Sequence, residues 1–280
     1  MTAVKISNVD KQVVKDFGSE WSRFDQSVLS ITDRTGMFND YFNIFPWEQL
    51  PEKAVGADIG CGSGRWAVFV APRVGYLHLV DASVDALSVA GKNLAGATNI
   101  SFHQASVDHL PFEEKVLDFA YAIGVLHHVP DTYGAIESIA RVLKPGAPFL
   151  IYLYYAFDQR PWWFRVLWWC SSLLRRVISI LPVRAKNICC DIIALVVYLP
   201  FARAAWVLDQ VGLLPGAWPL AYYRTLSFYV LRTDALDRFG TRLEKRFTRR
   251  QIEDMLTAAG FERIRFSDRE PFWCAVCFRR

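Results

Sequence analysis

The chain has 280 residues, 52% of them hydrophobic, and a formal net charge of +4 at neutral pH. This length allows one large domain or a domain with a substantial insertion, and the high apolar content excludes a disordered chain. The mild charge gives no argument for a nucleic-acid partner. Six cysteines without disulfide-framework spacing, and a start without the apolar core of a signal peptide, predict a cytoplasmic protein.

The predicted elements begin with a helix over residues 10–30, within an N-terminal helical cap over 1–50. Strands and helices then alternate over 51–156, which predicts a parallel sheet with helices on both faces. The predicted strands are 54–59, 76–81, 100–105, 117–123 and 148–155, and the predicted helices are 64–72, 84–94 and 132–142.

The alternation stops over residues 157–246, which are dense in Trp, Leu, Ile and Arg. It resumes over 247–280, with a helix predicted at 248–259 and strands at 262–268 and 272–278. The sequence therefore predicts an α/β fold with a doubly wound, mostly parallel, seven-stranded sheet and a long helical insertion.

A glycine-rich turn follows the first predicted strand, with the sequence Asp-Ile-Gly-Cys-Gly-Ser-Gly over residues 58–64. A dinucleotide fingerprint would need a third glycine at position 65, where Arg65 stands. The next predicted strand ends at Asp81, where an acid can accept hydrogen bonds from both hydroxyls of a ribose. The pair of features predicts a nucleoside-containing ligand other than a dinucleotide.

Five segments in order, AVGADIGCGSG, LHLVDAS, ASVDHLPF, LDFAYAIGVLHHVPD and RVLKPGAPFLIY, resemble the class I S-adenosylmethionine-dependent methyltransferases of the type 11-like group. The resemblance implies a Rossmann-like methyltransferase fold, S-adenosylmethionine as cofactor and S-adenosylhomocysteine as product. By the same resemblance, the methionine part of the cofactor is held at Asp58, Gly60, Cys61, Gly62 and Gly64, the ribose at Asp81, the adenine at Ala82, Ser83, Val107 and Asp108, and the region near the methyl group at Ile123, Gly124 and Leu126.

Simpler roles stay open for several of these residues. Asp58 could order the loop through backbone amides, and Asp108 could cap the following turn. His127 is a candidate general base, although paired histidines at such positions also serve as ordinary structural groups. In some relatives the segment before the first strand closes over the cofactor, and the matching candidates here are Trp21, Arg23 and Tyr41. No metal site is predicted, since Cys274 and Cys277 form a lone C-x-x-C pair.

The insertion is the part of the chain that we expect to determine which acceptor binds. Residues 161–181 predict an amphipathic helix rich in Trp and Arg, whereas 188–202 is apolar but shorter than a bilayer span of about 20 residues, so no transmembrane helix is expected. The insertion could be a lid over the acceptor, a membrane-interface element or a homodimer contact. Candidate substrate-binding residues are Tyr41, Trp163, Tyr222, Tyr223 and Arg224.

The predicted function is methyl transfer, by in-line displacement, to a lipophilic or aromatic small molecule, with an O-methyl product favoured. Methylation of a sugar or glycolipid is the alternative within the enzymes, and a non-catalytic scaffold is the alternative outside them. No motif for a flipped base or lysine-rich arm supports a nucleic-acid acceptor. The expected location is the cytoplasm, with peripheral contact to the inner face of a membrane left open.

Overall fold

The computed structural model describes residues 8–157, 160–271 and 273–280. Parts of three predictions lie outside these residues: the start of the 1–50 cap, two positions of the insertion and the first residue of the 272–278 strand. The chain divides into two compact units. The first contains the chain up to Gln26, Arg34–Ala156 and Leu243–Arg280, and the second contains Ser27–Asp33 and Phe157–Arg242.

Seven strands form one sheet in the first unit. They are Val55–Ile59 (β1), Tyr76–Asp81 (β2), Ile100–Gln104 (β3), Phe119–Ile123 (β4), Pro148–Tyr152 (β5), Phe261–Phe266 (β6) and Cys274–Arg279 (β7). Their order is β3-β2-β1-β4-β5-β7-β6, with β7 antiparallel to both of its neighbours and every other pairing parallel. The predicted doubly wound, mostly parallel sheet of seven strands is confirmed.

Ten α-helices accompany the sheet in the described residues. They are Lys11–Arg23 (α1), Ile31–Phe42 (α2), Ala67–Val70 (α3), Val84–Asn93 (α4), Thr132–Val142 (α5), Trp162–Ile178 (α6), Val183–Ile193 (α7), Leu199–Gln210 (α8), Phe228–Gly240 (α9) and Arg249–Ala258 (α10). Short 3₁₀ turns lie at Trp47–Gln49, Ala71–Arg73, Leu126–His128 and Ala221–Thr225. Helices α6 to α9 make the insertion helical, as predicted.

The centre of the sheet is buried on both faces, as a parallel sheet requires. All five residues of β4 are buried. Gly56 of β1 faces the Phe119 ring so closely that an added Cβ would lie 2.2 Å from a ring carbon. This close packing fixes β1 against β4 and sets the register in which Asp58 pairs with Tyr121.

The predicted helix over 10–30 is wrong in its last third, because α1 ends at Arg23. Gln26 has a positive φ of 69°, which an α-helix does not accommodate. Gly18 within α1 has a packing reason: a Cβ there would lie 2.6 Å from the Ser83 hydroxyl at the start of α4. The predicted helix over 64–72 also starts later, at Ala67, because the glycine turn continues to that point.

The second unit contains one long helix, Val183–Gln210, built from α7, a π-helical turn at Ala194–Tyr198 and α8. The expectation that this apolar segment is too short for a bilayer span is wrong. Among the described residues it is the one helix that is long and apolar enough to cross a membrane, judged by length and composition alone. Pro200 does not end it, because it lies in the first turn of α8, directly after the π-helical turn.

Candidate active site

The glycine turn lies at the carboxyl end of β1 and is pinned to β2. The amides of Gly60 and Cys61 both donate to the carbonyl oxygen of Val80, at 2.7 and 3.0 Å. Gly60, Gly62 and Gly64 all have positive φ, of 74°, 53° and 73°. Only glycine adopts this conformation without strain. The turn therefore exposes its backbone, because no side chains cover it. A ligand can approach the main chain closely at this point.

Asp81 closes the turn from the end of β2. One carboxylate oxygen accepts from the Gly62 amide at 2.9 Å, and the other accepts from the Ser83 amide at 2.8 Å. Burial raises the pKa of Asp81, and these amides act in the opposite direction. Each carboxylate oxygen has two lone pairs, so acceptor capacity for a ribose remains. Asp81 thus holds the glycine turn in place. It also lies at the strand end where the predicted ribose contact requires an acid.

Asp58 ends up buried beside Tyr121 on the neighbouring strand. It is 1% exposed, and one of its carboxylate oxygens has no hydrogen-bond partner among the described residues; the Tyr121 hydroxyl has none either. Burial raises the pKa of Asp58 to about 8, and the nearby Tyr121 hydroxyl opposes the shift. The buried Ser63 hydroxyl in the same turn also has no partner. These orphaned polar atoms fit a site that a polar ligand completes.

The indole of Trp21 lies over the glycine turn. An added Cβ on Gly62 would lie 2.8 Å from its ring, and the Arg65 guanidinium lies 5.4 Å from the ring centroid. Trp21 was predicted to close over the cofactor, and it is placed against the turn. Arg23, predicted with it, stacks instead on the adjacent Phe24 ring at 4.9 Å.

Asp108 is nearly enclosed by donors from the protein. Its carboxylate accepts from the Asn8 amide at 3.0 Å, from the Ser106 hydroxyl and from His109 at 3.1 Å. Burial acts to raise the pKa of Asp108, but these hydrogen bonds outweigh burial and lower it. The adenine contact of Asp108 stays a prediction, and the structure adds that this acid also anchors the N-terminal segment through Asn8.

The end of β4 carries the residues predicted near the methyl group. Gly124 has a φ of 77°, and its amide lies 3.3 Å from the carbonyl oxygen of Tyr152 at the end of β5. Ile123 and Leu126 are buried on either side of it. Val125 fills the space in which a Gly60 side chain would stand, at 2.4 Å from the Cβ position. The ends of β1, β4 and β5 therefore meet at one edge.

His127 is buried with no partner for either ring nitrogen among the described residues. It stacks on Tyr154 at 3.8 Å between ring centroids. Burial, with smaller effects from His128 and Arg246, lowers the pKa of His127 well below its usual value. The imidazole is therefore neutral, and burial also makes it a weaker proton acceptor than a solvent-exposed histidine. Its catalytic role stays a prediction.

The shift at His127 predicts acid sensitivity. Near pH 6.5 the unfolded chain takes up a proton at this histidine, whereas the native chain resists it, so stability falls as the pH drops below about 6.5. We expect His127→Phe, which keeps an aromatic ring beside Tyr154, to reduce this loss in urea unfolding measured from pH 7 to pH 5. A smaller loss remains, because burial also lowers the pKa values of His78 and His103. Lys92→Gln, at an exposed side chain of α4 that does not titrate in this range, is the control and should follow the native profile. Equal acid sensitivity in His127→Phe and the native protein would contradict the prediction.

The remaining predicted residues lie in both units. In the first unit, Ser83 caps α4 with its hydroxyl, Ala82 precedes it, and Val107 belongs to the buried core. The ring of Tyr41 lies 5.0 Å from those of both Trp66 and Tyr152. Burial raises the pKa of the Cys61 thiol, which makes it a poor nucleophile.

The candidates of the second unit are Trp163, exposed on α6, and Tyr222, Tyr223 and Arg224, which lie together in a 3₁₀ turn.

Sequence reasoning missed three residues of this site. Tyr121 lies opposite Asp58 in the register of β1 and β4, the Asn8 amide donates to Asp108, and Trp66 packs on Tyr41. Only Tyr121 had a signal in the sequence, since it is the one residue with a polar group in the otherwise apolar strand β4. Among the described residues, no group of three or more His, Cys, Asp or Glu side chains could hold a metal ion.

The fold is that of a doubly wound α/β protein, and its candidate ligand site lies at the carboxyl ends of β1, β2 and β4. Residues 57–151 match the family model described as a methyltransferase domain. This match, over about a third of the chain, supports a methyltransferase domain of the class I S-adenosylmethionine-dependent type within the first unit, and S-adenosylmethionine is the cofactor of that family.

Curated relatives resemble only part of the chain. An uncharacterized methyltransferase of Bacillus subtilis is 34% identical over 101 residues, which is 35% of this chain and 40% of the relative. A demethylmenaquinone methyltransferase of Bacillus licheniformis is 29% identical over 35% of this chain and 43% of the relative. An O-methyltransferase of Aspergillus sclerotiorum is 33% identical over 32% of this chain and 36% of the relative. The matches thus span less than half of each of these proteins.

A solved structure supports the fold over a longer stretch. A Bordetella parapertussis protein described as a possible exported protein aligns with a TM-score of 0.51 over 90% of this chain and 69% of its own, at 18% identity. At that identity the likeness concerns the fold alone.

Proposed function

We propose that this protein transfers the methyl group of S-adenosylmethionine to a lipophilic or aromatic small molecule. The observation that carries the proposal is the cradle at the ends of β1 and β2, where three positive-φ glycines lie beside Asp81 and the orphaned carboxylate oxygen of Asp58. Asp58, Asp81 and the turn amides would hold the cofactor. When bound, S-adenosylmethionine supplies an electrophilic methyl group, so the chain itself needs to bind, orient and exclude water.

The surroundings of this cradle favour an aromatic acceptor. Tyr41, Trp66, Tyr152 and Tyr154 form a chain of ring contacts with His127 beside the ends of β4 and β5. Aromatic side chains at such an edge offer stacking surface for a flat, apolar molecule. One of the relatives is named as a demethylmenaquinone methyltransferase, and a quinone acceptor of that kind would suit this class.

Transfer to oxygen is supported by His127. A hydroxyl is weakly acidic and needs a base, whereas a thiolate or phenolate needs little help. Both ring nitrogens of His127 lack partners among the described residues, so either has a free lone pair or N–H to offer an acceptor hydroxyl. Burial lowers the pKa of His127, so the proton has to pass on from the ring rather than stay on it. We therefore favour an O-methyl product and assign the proton to a ring nitrogen of His127.

The test has two stages. Calorimetry with S-adenosylmethionine and S-adenosylhomocysteine should show binding of both, and no heat at millimolar ligand would instead favour a scaffold. With labelled S-adenosylmethionine, the protein should then transfer label to hydroquinones or polyphenols. In parallel reactions, sugar nucleotides and glycolipids should stay unlabelled. Label in the sugar fraction alone would overturn the acceptor class and leave the methyltransferase assignment intact.

A further inference from the structure

Exposed apolar side chains concentrate in one stretch of the second unit. Of the 25 large hydrophobic side chains that are exposed in the described part of the chain, 20 lie between Trp162 and Leu213. Only Val84 and Phe102 belong to the first unit. A water-soluble surface rarely leaves so much apolar area uncovered, so this stretch marks an interaction surface.

Helix α6 is apolar on its outer side. Its inner side packs on α9, where the Arg238 guanidinium donates to the hydroxyls of Ser171 and Ser172 at 3.2 and 3.0 Å. Trp169 and Val177 of the outer side are each 58% exposed. The helix therefore has a polar, partnered side within the unit and an unpartnered apolar side.

The helix Val183–Gln210 has the same division. Every fourth residue faces inward and is buried: Lys186, Cys190, Ala194, Tyr198 and Ala202. In a regular α-helix each step of four passes a full turn by about 40°, so such a row would wind round the helix. The wider turn of the π-helical segment offsets that drift and keeps the buried row on one side. Most of the apolar window of this helix remains outside, since 28% of it is buried.

The buried side of this helix is tied to α9 by charge. Arg232 of α9 forms a two-pronged pair with Asp191, with both N–O distances at 3.0 Å. Asp191 and Lys186 would face lipid or a water-free core if the helix crossed a bilayer alone. A helix with one packed, partly charged side and one apolar side suits the plane of a membrane interface better than a crossing.

The net charge of these helices indicates which lipids the surface would bind. Residues 160–213 contain seven Arg or Lys side chains and two Asp side chains, a net charge of +5. Both acids are paired, Asp191 with Arg232 and Asp209 with Arg224. Arg165, Arg176 and Arg184 are exposed among the apolar residues. Basic side chains beside exposed Trp and Leu match anionic lipid headgroups over an acyl layer.

We infer that the exposed sides of α6 and of helix 183–210 form a docking face for the surface of a bilayer rich in anionic lipids, with both helices in the plane of the interface. This inference does not depend on the proposed function, because it rests on the second unit alone. It does suit a lipophilic acceptor, which dissolves in the same bilayer.

The inference is tested by flotation of the full chain with vesicles. Vesicles of phosphatidylcholine with about 30% phosphatidylglycerol should carry the protein, and pure phosphatidylcholine should carry at least about tenfold less. The variant Trp169→Ser/Val177→Ser should lower binding to anionic vesicles about tenfold or more. The matched control is Val84→Ser/Phe102→Ser, at exposed apolar residues of the first unit, and should bind like the native protein.

Three outcomes would overturn the inference. Equal flotation with neutral and anionic vesicles would remove the role of the arginines, and Arg165→Gln/Arg176→Gln should then have no effect. Failure to float, with light scattering showing a dimer that Trp169→Ser/Val177→Ser dissociates, would make the face a contact between two copies. Resistance to extraction by alkaline carbonate would indicate a crossing helix. Far-ultraviolet circular dichroism of each variant verifies that its helices are retained, and cofactor binding by calorimetry reports separately on the proposed function.

Discussion

Replacing Asp81 by alanine is expected to weaken S-adenosylmethionine binding by about 30- to 150-fold, measured by calorimetry. Hydrogen bonds to a charged carboxylate contribute about 2–3 kcal/mol, and Asp81 stands at the end of β2, where an acid can accept from ribose hydroxyls. The variant also removes the acceptor for the Gly62 and Ser83 amides. The loss of affinity therefore combines the missing ribose contact with a looser glycine turn.

Two further variants separate these contributions. Asp81→Asn keeps one carbonyl acceptor, so it can hold one of the two amides, and it should lose less affinity than Asp81→Ala. Asp85→Ala removes an exposed acid four residues further on and should bind the cofactor like the native protein. Native-like affinity in Asp81→Ala, with an unchanged unfolding midpoint, would remove both roles of Asp81.

The sheet and its connections were accessible from sequence because local signals and topology agree there. Apolar runs end in turn residues, and Asp131 and Thr248 each cap the helix that follows. Strand ends were less accurate: β5 stops at Tyr152 rather than residue 155, because beyond that point the chain leaves its pairing with β7. Such boundaries depend on partners that are distant in sequence.

The long helix of the second unit shows what local patterns leave out. The apolar segment 188–202 contains Asp191 and Pro200, and a local pattern favours an interruption of a helix at each of them. Asp191 is matched by Arg232, which lies 41 residues away, and the π-helical turn before Pro200 accommodates its missing N–H. Neither partner can be recognised from the segment itself, so its length was underestimated.

The sequence predicted which residues belong to the candidate site, but it did not predict which protein groups contact them. The family pattern points to Asp58, Asp81 and Asp108, and the structure brings each to the predicted sheet edge or the loop beside it. It also gives each acid a protein neighbour that the pattern does not mention: Tyr121 for Asp58, the Gly62 amide for Asp81, and Asn8 for Asp108. These neighbours come from other strands or from the N-terminal segment, and only the fold brings them together.

Replacing Asp58 by asparagine is expected to stabilise the ligand-free protein at alkaline pH. The native pKa of Asp58 is about 8, whereas the unfolded chain loses this proton near the usual pKa of 3.8. Between these values the native state binds more protons than the unfolded state, so rising pH lowers the stability of the native protein. Asparagine does not titrate. The difference in the free energy of unfolding, variant minus native, should therefore grow by about 3 kcal/mol between pH 5 and pH 8.

Urea unfolding at pH 5, 6, 7 and 8 measures this difference, and Asp85→Asn, at an exposed acid, should run parallel to the native protein. A parallel course for Asp58→Asn would contradict the raised pKa. The same variant should bind S-adenosylmethionine more weakly, because a neutral amide cannot pair with a cationic ligand. A residue that weakens the empty protein yet strengthens ligand binding is expected at a functional site, since burial of an unmatched carboxylate has no structural benefit of its own.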